Sequence, residues 1–178
     1  SRDKYKNAIN ESEYLKTLKK DRNGLELSDY KVDNLDSLDL PFVESMNVNI
    51  TDQVEEAGNL VYFTPLLYER TKENLFKHEE RLFPVDFGHP IKESYRITVK
   101  FPEGYEVDKL PKSTIYKIPN DLGLFSISYL VEDKTLLVRS TISINHSMYS
   151  PEEYFELKEL FKNIVERQAE QIVLKKSL

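Results

Sequence analysis

The apolar positions change period three times along the chain. Over residues 2–20, Tyr5, Ala8, Ile9, Leu15 and Leu18 recur at helical spacing among Lys, Glu and Asn. This predicts an N-terminal helix with a thin apolar stripe, stopped by Asn23-Gly24. From Leu25 the period falls to two. Leu25 and Leu27 begin a strand to about Val32, and residues 34–41 form a polar turn region. Met46, Val48 and Ile50 then alternate with Ser45, Asn47 and Asn49 in a second strand. The run Leu60 to Leu67 reads as a short buried strand that Pro65 ends, and Thr71 to Arg81 is charged and irregular.

The alternation is clearest between Tyr95 and Ile144. Tyr95, Ile97, Val99 and Phe101 face one way, and Pro102-Glu103-Gly104 turns the chain toward Tyr105 and Val107. Ile115 to Ile118 is a strand, followed by the turn cluster Asn120 to Gly123. Phe125, Ile127, Tyr129 and Val131 alternate, Glu132-Asp133-Lys134 turns, and Leu136, Val138, Ser140, Ile142 and Ile144 alternate again. Strands this evenly spaced, joined by tight turns, predict antiparallel sheets covered on one face. Ser150-Pro151-Glu152-Glu153 matches a capping box with proline at the first helical position. It predicts a helix over 151–170 whose stripe runs through Leu157, Leu160, Phe161, Ile164 and Gln168, with Ile172-Val173-Leu174 as a closing strand. The expected fold is mainly β: an antiparallel β-sandwich, immunoglobulin-like in a loose sense, with an N-terminal and a C-terminal helix. Residues 1–22 are expected to be a helical connector from a preceding domain, and residues 23–178 the sandwich domain.

Between these parts lies Arg81-Leu82-Phe83-Pro84-Val85-Asp86-Phe87-Gly88-His89-Pro90. Pro84 and Pro90 push the residues before them into extended backbone. Gly88 takes a positive φ without steric cost, and Asp86 is placed to accept a backbone N–H two residues on. The stretch reads as a rigid, packed connector between layers.

Composition narrows the function classes. The formal net charge of −6, with its cations scattered, argues against a nucleic-acid partner. A chain of 178 residues buries roughly 70% of its unfolded surface, so it needs neither metal nor disulfide to fold. There is no cysteine, which removes thiol nucleophiles and thiolate metal sites together. No apolar run approaches the length of a membrane-spanning helix, and no secretory leader is recognisable. The chain opens on Ser1 without an initiator methionine, so a piece of a longer protein is expected.

His78, His89 and His146 lie in separate segments without ligand spacing, so no metal site is expected. No serine occupies a nucleophile elbow. Glu55-Glu56, Glu79-Glu80 and Glu152-Glu153 are adjacent in sequence and therefore diverge on either a strand or a helix, unlike a convergent catalytic pair. Phosphate-loop and dinucleotide fingerprints are lacking. No catalytic residue and no cofactor are expected. The aromatics Tyr62, Phe63, Tyr68, Phe76, Phe83 and Phe87 cluster before and within the connector. Burial makes them a plug between layers; exposure would make them a platform for a carbohydrate or protein ligand.

Several separated motifs carry a resemblance. Glu80 through Pro90, Ile97-Thr98-Val99, Pro102 through Val107, Leu110-Pro111-Lys112, Ser150 through Tyr154 and Glu170 through Lys176 together resemble the C-terminal β domain of transglutaminase-like proteins from Bacteroidetes. In such proteins a domain of unknown function and a papain-type core precede this region. The resemblance implies a non-catalytic accessory domain that supports or positions a transglutaminase-like domain of the same parent chain. It also implies an exported protein of the periplasm or cell envelope. The family's Cys–His–Asp residues belong to the core domain and have no counterpart here. The alternative is an independent carbohydrate- or protein-binding module using exposed aromatics.

Overall fold

The computed structural model describes residues 2–20 and 22–176. The chain forms two compact units that part between Val54 and Glu55. Strand accounts for 43% and helix for 20%, so the class is mainly β with antiparallel sheets, as the alternation predicts.

In the first unit the expected single helix is two, α1 (Arg2–Lys6) and α2 (Glu11–Lys19). Asn10 causes the break: from an extended backbone its side chain accepts the N–H of Glu13 at 3.0 Å, which caps a new helix. The apolar stripe shifts accordingly. Ile9 falls in the gap and is 89% exposed, and Tyr14 is the buried residue of α2. Strands β1 (Leu25–Asp33) and β2 (Val43–Ile50) pair antiparallel, with a bulge between Ser28 and Lys31. Tyr5 meets Tyr14 edge-on at 4.9 Å. The Glu44 carboxylate accepts from the hydroxyls of Tyr14 and Tyr30, both at 2.8 Å. Burial, and then that carboxylate, hold the Tyr30 phenol well above its ordinary pKa.

The second unit contains β3 (Val54–Ala57), which starts at the boundary, and β4 (Leu60–Phe63), which ends just before Pro65 as expected. There follow β5 (Val85–Asp86), β6 (Ile91–Lys100), β7 (Tyr105–Lys109), β8 (Thr114–Ile118), β9 (Gly123–Glu132), β10 (Thr135–Ile144), β11 (Met148–Tyr149), α3 (Tyr154–Gln168) and β12 (Ile172–Lys176). One sheet has the order β6-β10-β9-β8 and the other β3-β4-β12-β7, with β5–β11 as a short ribbon.

The strand alternation translates directly into the core. Leu136, Val138, Ser140, Ile142 and Ile144 of β10 all point inward, and β9 places Ile127 opposite Ser140 and Phe125 opposite Ile142. Helix α3 buries Leu157, Leu160 and Ile164 completely and packs on β8 and β9. The second sheet adds Phe63, Ile172 and Leu174 to the same core. Each such fully buried aliphatic side chain contributes about 1.5–3 kcal/mol relative to exposure. Gly123 opens β9 where a Cβ would stand 2.9 Å from the carbonyl oxygen of Ser143, so only glycine fits that close approach.

The start of α3 differs from the expected capping box. The helix begins at Tyr154 rather than Pro151, and its N-cap position, Glu153, makes no side-chain cap. Half of the box is present: the Glu153 carboxylate accepts the Ser150 N–H at 2.8 Å. The other half is replaced, because the Glu153 N–H donates to the Ser150 carbonyl at 3.1 Å, closing a turn in place of the first helical turn. The Ser150 hydroxyl bonds the Glu152 carboxylate instead and holds its pKa below the usual range.

Candidate functional site

The segment between β4 and β5 has little regular structure beyond one turn of 3₁₀ helix at Leu67–Glu69, yet it is fastened along α3. The Thr71 N–H donates to Gln168 Oε1 at 2.7 Å, which accounts for a glutamine with no exposure on the helix stripe. Asn74 Oδ1 accepts the Phe76 N–H at 2.9 Å, and Asn74 Nδ2 donates to the Lys158 carbonyl at 2.9 Å. That local turn drives Phe76 inward. Its ring meets Phe161 at 4.9 Å, Tyr154 at 5.9 Å and Phe87 at 6.3 Å, all edge-on. The Tyr154 hydroxyl and Lys158 Nζ both donate to the His78 carbonyl at 3.0 Å, and the Arg81 guanidinium lies over the Tyr154 ring at 5.7 Å.

The connector continues from this strap. Val85 pairs with Tyr149 and Asp86 with Met148. Asp86 Oδ1 accepts the Gly88 N–H at 2.7 Å and Gly88 has φ +75°, as the residue pattern requires. The Phe87 N–H donates to the Ser147 carbonyl at 2.7 Å, and the Phe87 ring meets Tyr149 edge-on at 5.7 Å. Tyr149 itself has no exposure; its hydroxyl donates to the Leu122 carbonyl and accepts the His146 N–H. Burial raises the pKa of its phenol.

One part of the connector departs from the expected packed stretch. Leu82 is 87% exposed and Phe83 78% exposed, although the residues on both sides are fastened. Pro84 and Pro90 are exposed too. Of the other singled-out aromatics, Phe63 and Phe76 are buried, and Tyr62, Tyr68 and Phe87 are half-buried. The site is thus a ring-packed base carrying two adjacent, outward apolar side chains. Among the described residues, no three of His, Asp or Glu converge as a metal-binding group.

Residues 59–174 match the family model of a domain of unknown function with solved structure, DUF3858. The chain belongs to this family. The DUF3858 match runs from the turn before β4 into β12, so it takes in the strap, the connector and α3 and leaves out the first unit. No curated protein matches. Among solved structures, the chain is similar to a crystal structure from Parabacteroides distasonis provisionally named a protease. The identity is 18% and the TM-score 0.48, over 55% of this chain and 19% of that one.

Sequence spacing missed Tyr149 and Tyr154 as members of the ring cluster in the DUF3858 region. A signal for them existed. In the sequence pattern that takes Ser150 for the cap, they fall at the two positions of a hydrophobic staple, the residue before it and the fourth beyond it. Their partners Phe76 and Phe87 lie far upstream, and no local pattern connects such distant rings.

Proposed function

We propose that the chain is a non-catalytic accessory β domain of a multidomain envelope protein, supporting or positioning a transglutaminase-like catalytic domain of the same parent. The observation that carries this reading is the exposure of Leu82 and Phe83 on a backbone pinned on both sides. Isolated exposed apolar residues are ordinary, but adjacent large ones held in place suit a protein contact. Because the backbone beneath them is already ordered, docking loses little further entropy there. A carbohydrate platform would call for several open ring faces, whereas Phe83 alone of the six upstream aromatics is exposed.

The test is to express the catalytic region of the parent separately and titrate it with this chain by calorimetry. The reading expects saturable heat that disappears when Leu82 and Phe83 are both changed to serine. No heat with the unaltered chain would remove the accessory role. The chain by itself is expected to turn over no glutamine peptide, and fractionation of cells making the parent should place it in the envelope.

A further inference from the structure

We infer that the face centred on Leu82 and Phe83 takes a basic polypeptide segment bearing apolar side chains. The inference rests on the accessory reading and adds the chemistry of the partner. Residues 81–86 run antiparallel to residues 148–154: Asp86 pairs with Met148, Val85 with Tyr149, and Arg81 lies on Tyr154. Leu82 and Phe83 therefore flank the turn at 150–153. Met148, 55% exposed, stands at one end of that turn, and Phe155, 61% exposed, follows it at the other. Leu82 and Phe83 form the apolar platform, and Met148 and Phe155 are further exposed apolar side chains on the neighbouring segment.

The charges around this platform are predominantly negative. Glu79, Glu80 and Glu152 are exposed and have no ion-pair partner among the described residues. Of the nearby cations, Lys77 is paired with Glu73 at 2.8 Å, while Lys158, which donates to the His78 carbonyl, and Arg81, over the Tyr154 ring, keep their charge but are outnumbered. An apolar centre with a charged rim is the anatomy of a protein interface, and an acidic rim favours a basic partner. The same rim opposes an anionic lipid surface or nucleic acid. It also opposes a second copy of the chain, because a two-fold contact through this patch would set acid against acid.

The test uses the whole chain and a labelled amphipathic peptide of leucine and lysine, with a leucine–glutamate peptide as counterpart, followed by fluorescence anisotropy. Binding of the lysine peptide is expected to weaken at least about tenfold with Phe83→Ser, the loss typical of a central anchor. Reversing Glu79 and Glu80 to lysine should weaken it comparably and flatten its salt dependence. Ile115→Ser, an exposed change on edge strand β8, should leave it unaltered. Equal binding of the glutamate peptide, or undiminished binding by Phe83→Ser, overturns the inference. So does sedimentation as a dimer that Phe83→Ser disperses, or Phe83-dependent association with uncharged lipid vesicles. If the peptide fails while the parent's catalytic region still binds, the accessory reading stands and only the partner chemistry falls. If the peptide binds and the catalytic region does not, the reverse holds.

Discussion

Phe76 stands edge-on to Phe161, with ring centroids 4.9 Å apart and planes at 74°. Phe76 belongs to the strap and Phe161 to α3, so this contact joins a segment with little regular structure to the longest of the described helices. Truncating the strap's anchor should therefore cost as much as a core deletion. Phe76→Ala is expected to lower stability by about 3–5 kcal/mol. Leu75→Ala, next to it but 69% exposed, should stay within about 0.5 kcal/mol. Urea midpoints of the two variants check this, and similar values for both would mean that the strap is not anchored by its ring.

The middle of α3 and the turn before it give a second contrast. Leu160 is fully buried, so Leu160→Ala should cost about 2–5 kcal/mol. Ser150→Ala removes a hydroxyl bonded to an exposed carboxylate and leaves the Ser150 N–H to Glu153 bond intact. It should cost no more than about 0.5 kcal/mol, the usual surface range. A loss of about 1 kcal/mol or more would restore Ser150 as the helix cap.

Glycine is required at two positions for different reasons. Around Gly88 there is open space for a side chain, but φ is +75°, so Gly88→Val should cost about 1–3 kcal/mol through backbone strain alone. Gly88→Asn should recover most of that, because asparagine tolerates the left-handed region. At Gly123 the obstacle is crowding against the Ser143 carbonyl, so Gly123→Ala should destabilise and no choice of left-handed-tolerant residue should help. Rescue of position 123 by asparagine would refute the assignment.

Alkaline pH should loosen the fold. Burial raises the phenol pKa of Tyr129 and of Tyr149, and for Tyr129 the Glu170 carboxylate adds to the shift. A raised folded-state pKa contributes stability that is complete below the unfolded value, about 10 for tyrosine, and is lost as pH climbs beyond it. The denaturant midpoint should hold steady to about pH 9 and fall above about pH 10, less steeply in Tyr129→Phe. A midpoint that stays level through about pH 11 would exclude this linkage.

The periodicities carried most of the second unit. Alternation over Tyr95–Ile144 gave the strands, the inward residues of β10 and their antiparallel arrangement, because period two and burial on one face are the same physical fact. Asp86 and Gly88 also announced their turn, since the constraint lies within three residues. The two breaks in expectation came from side chains with competing uses. Asn10 interrupts a helical spacing that the apolar residues alone would continue, and Ser150 spends its hydroxyl on Glu152. The candidate site was legible only in part. Leu82 and Phe83 resemble the buried residues around them, and their exposure follows from where Arg81 and Val85 are fastened, on residues far along the chain.

Strand β12 lies between β4 and β7 in its sheet, although it follows both of them and α3 in sequence. During synthesis the middle of that sheet is therefore the last of its strands to leave the ribosome. Until then β4 and β7 hold unpaired inner edges. Such non-local closure slows folding and leaves strand edges open to wrong partners meanwhile. Closure of this sheet waits on five residues, Ile172–Lys176, which join two strands that have no pairing with each other.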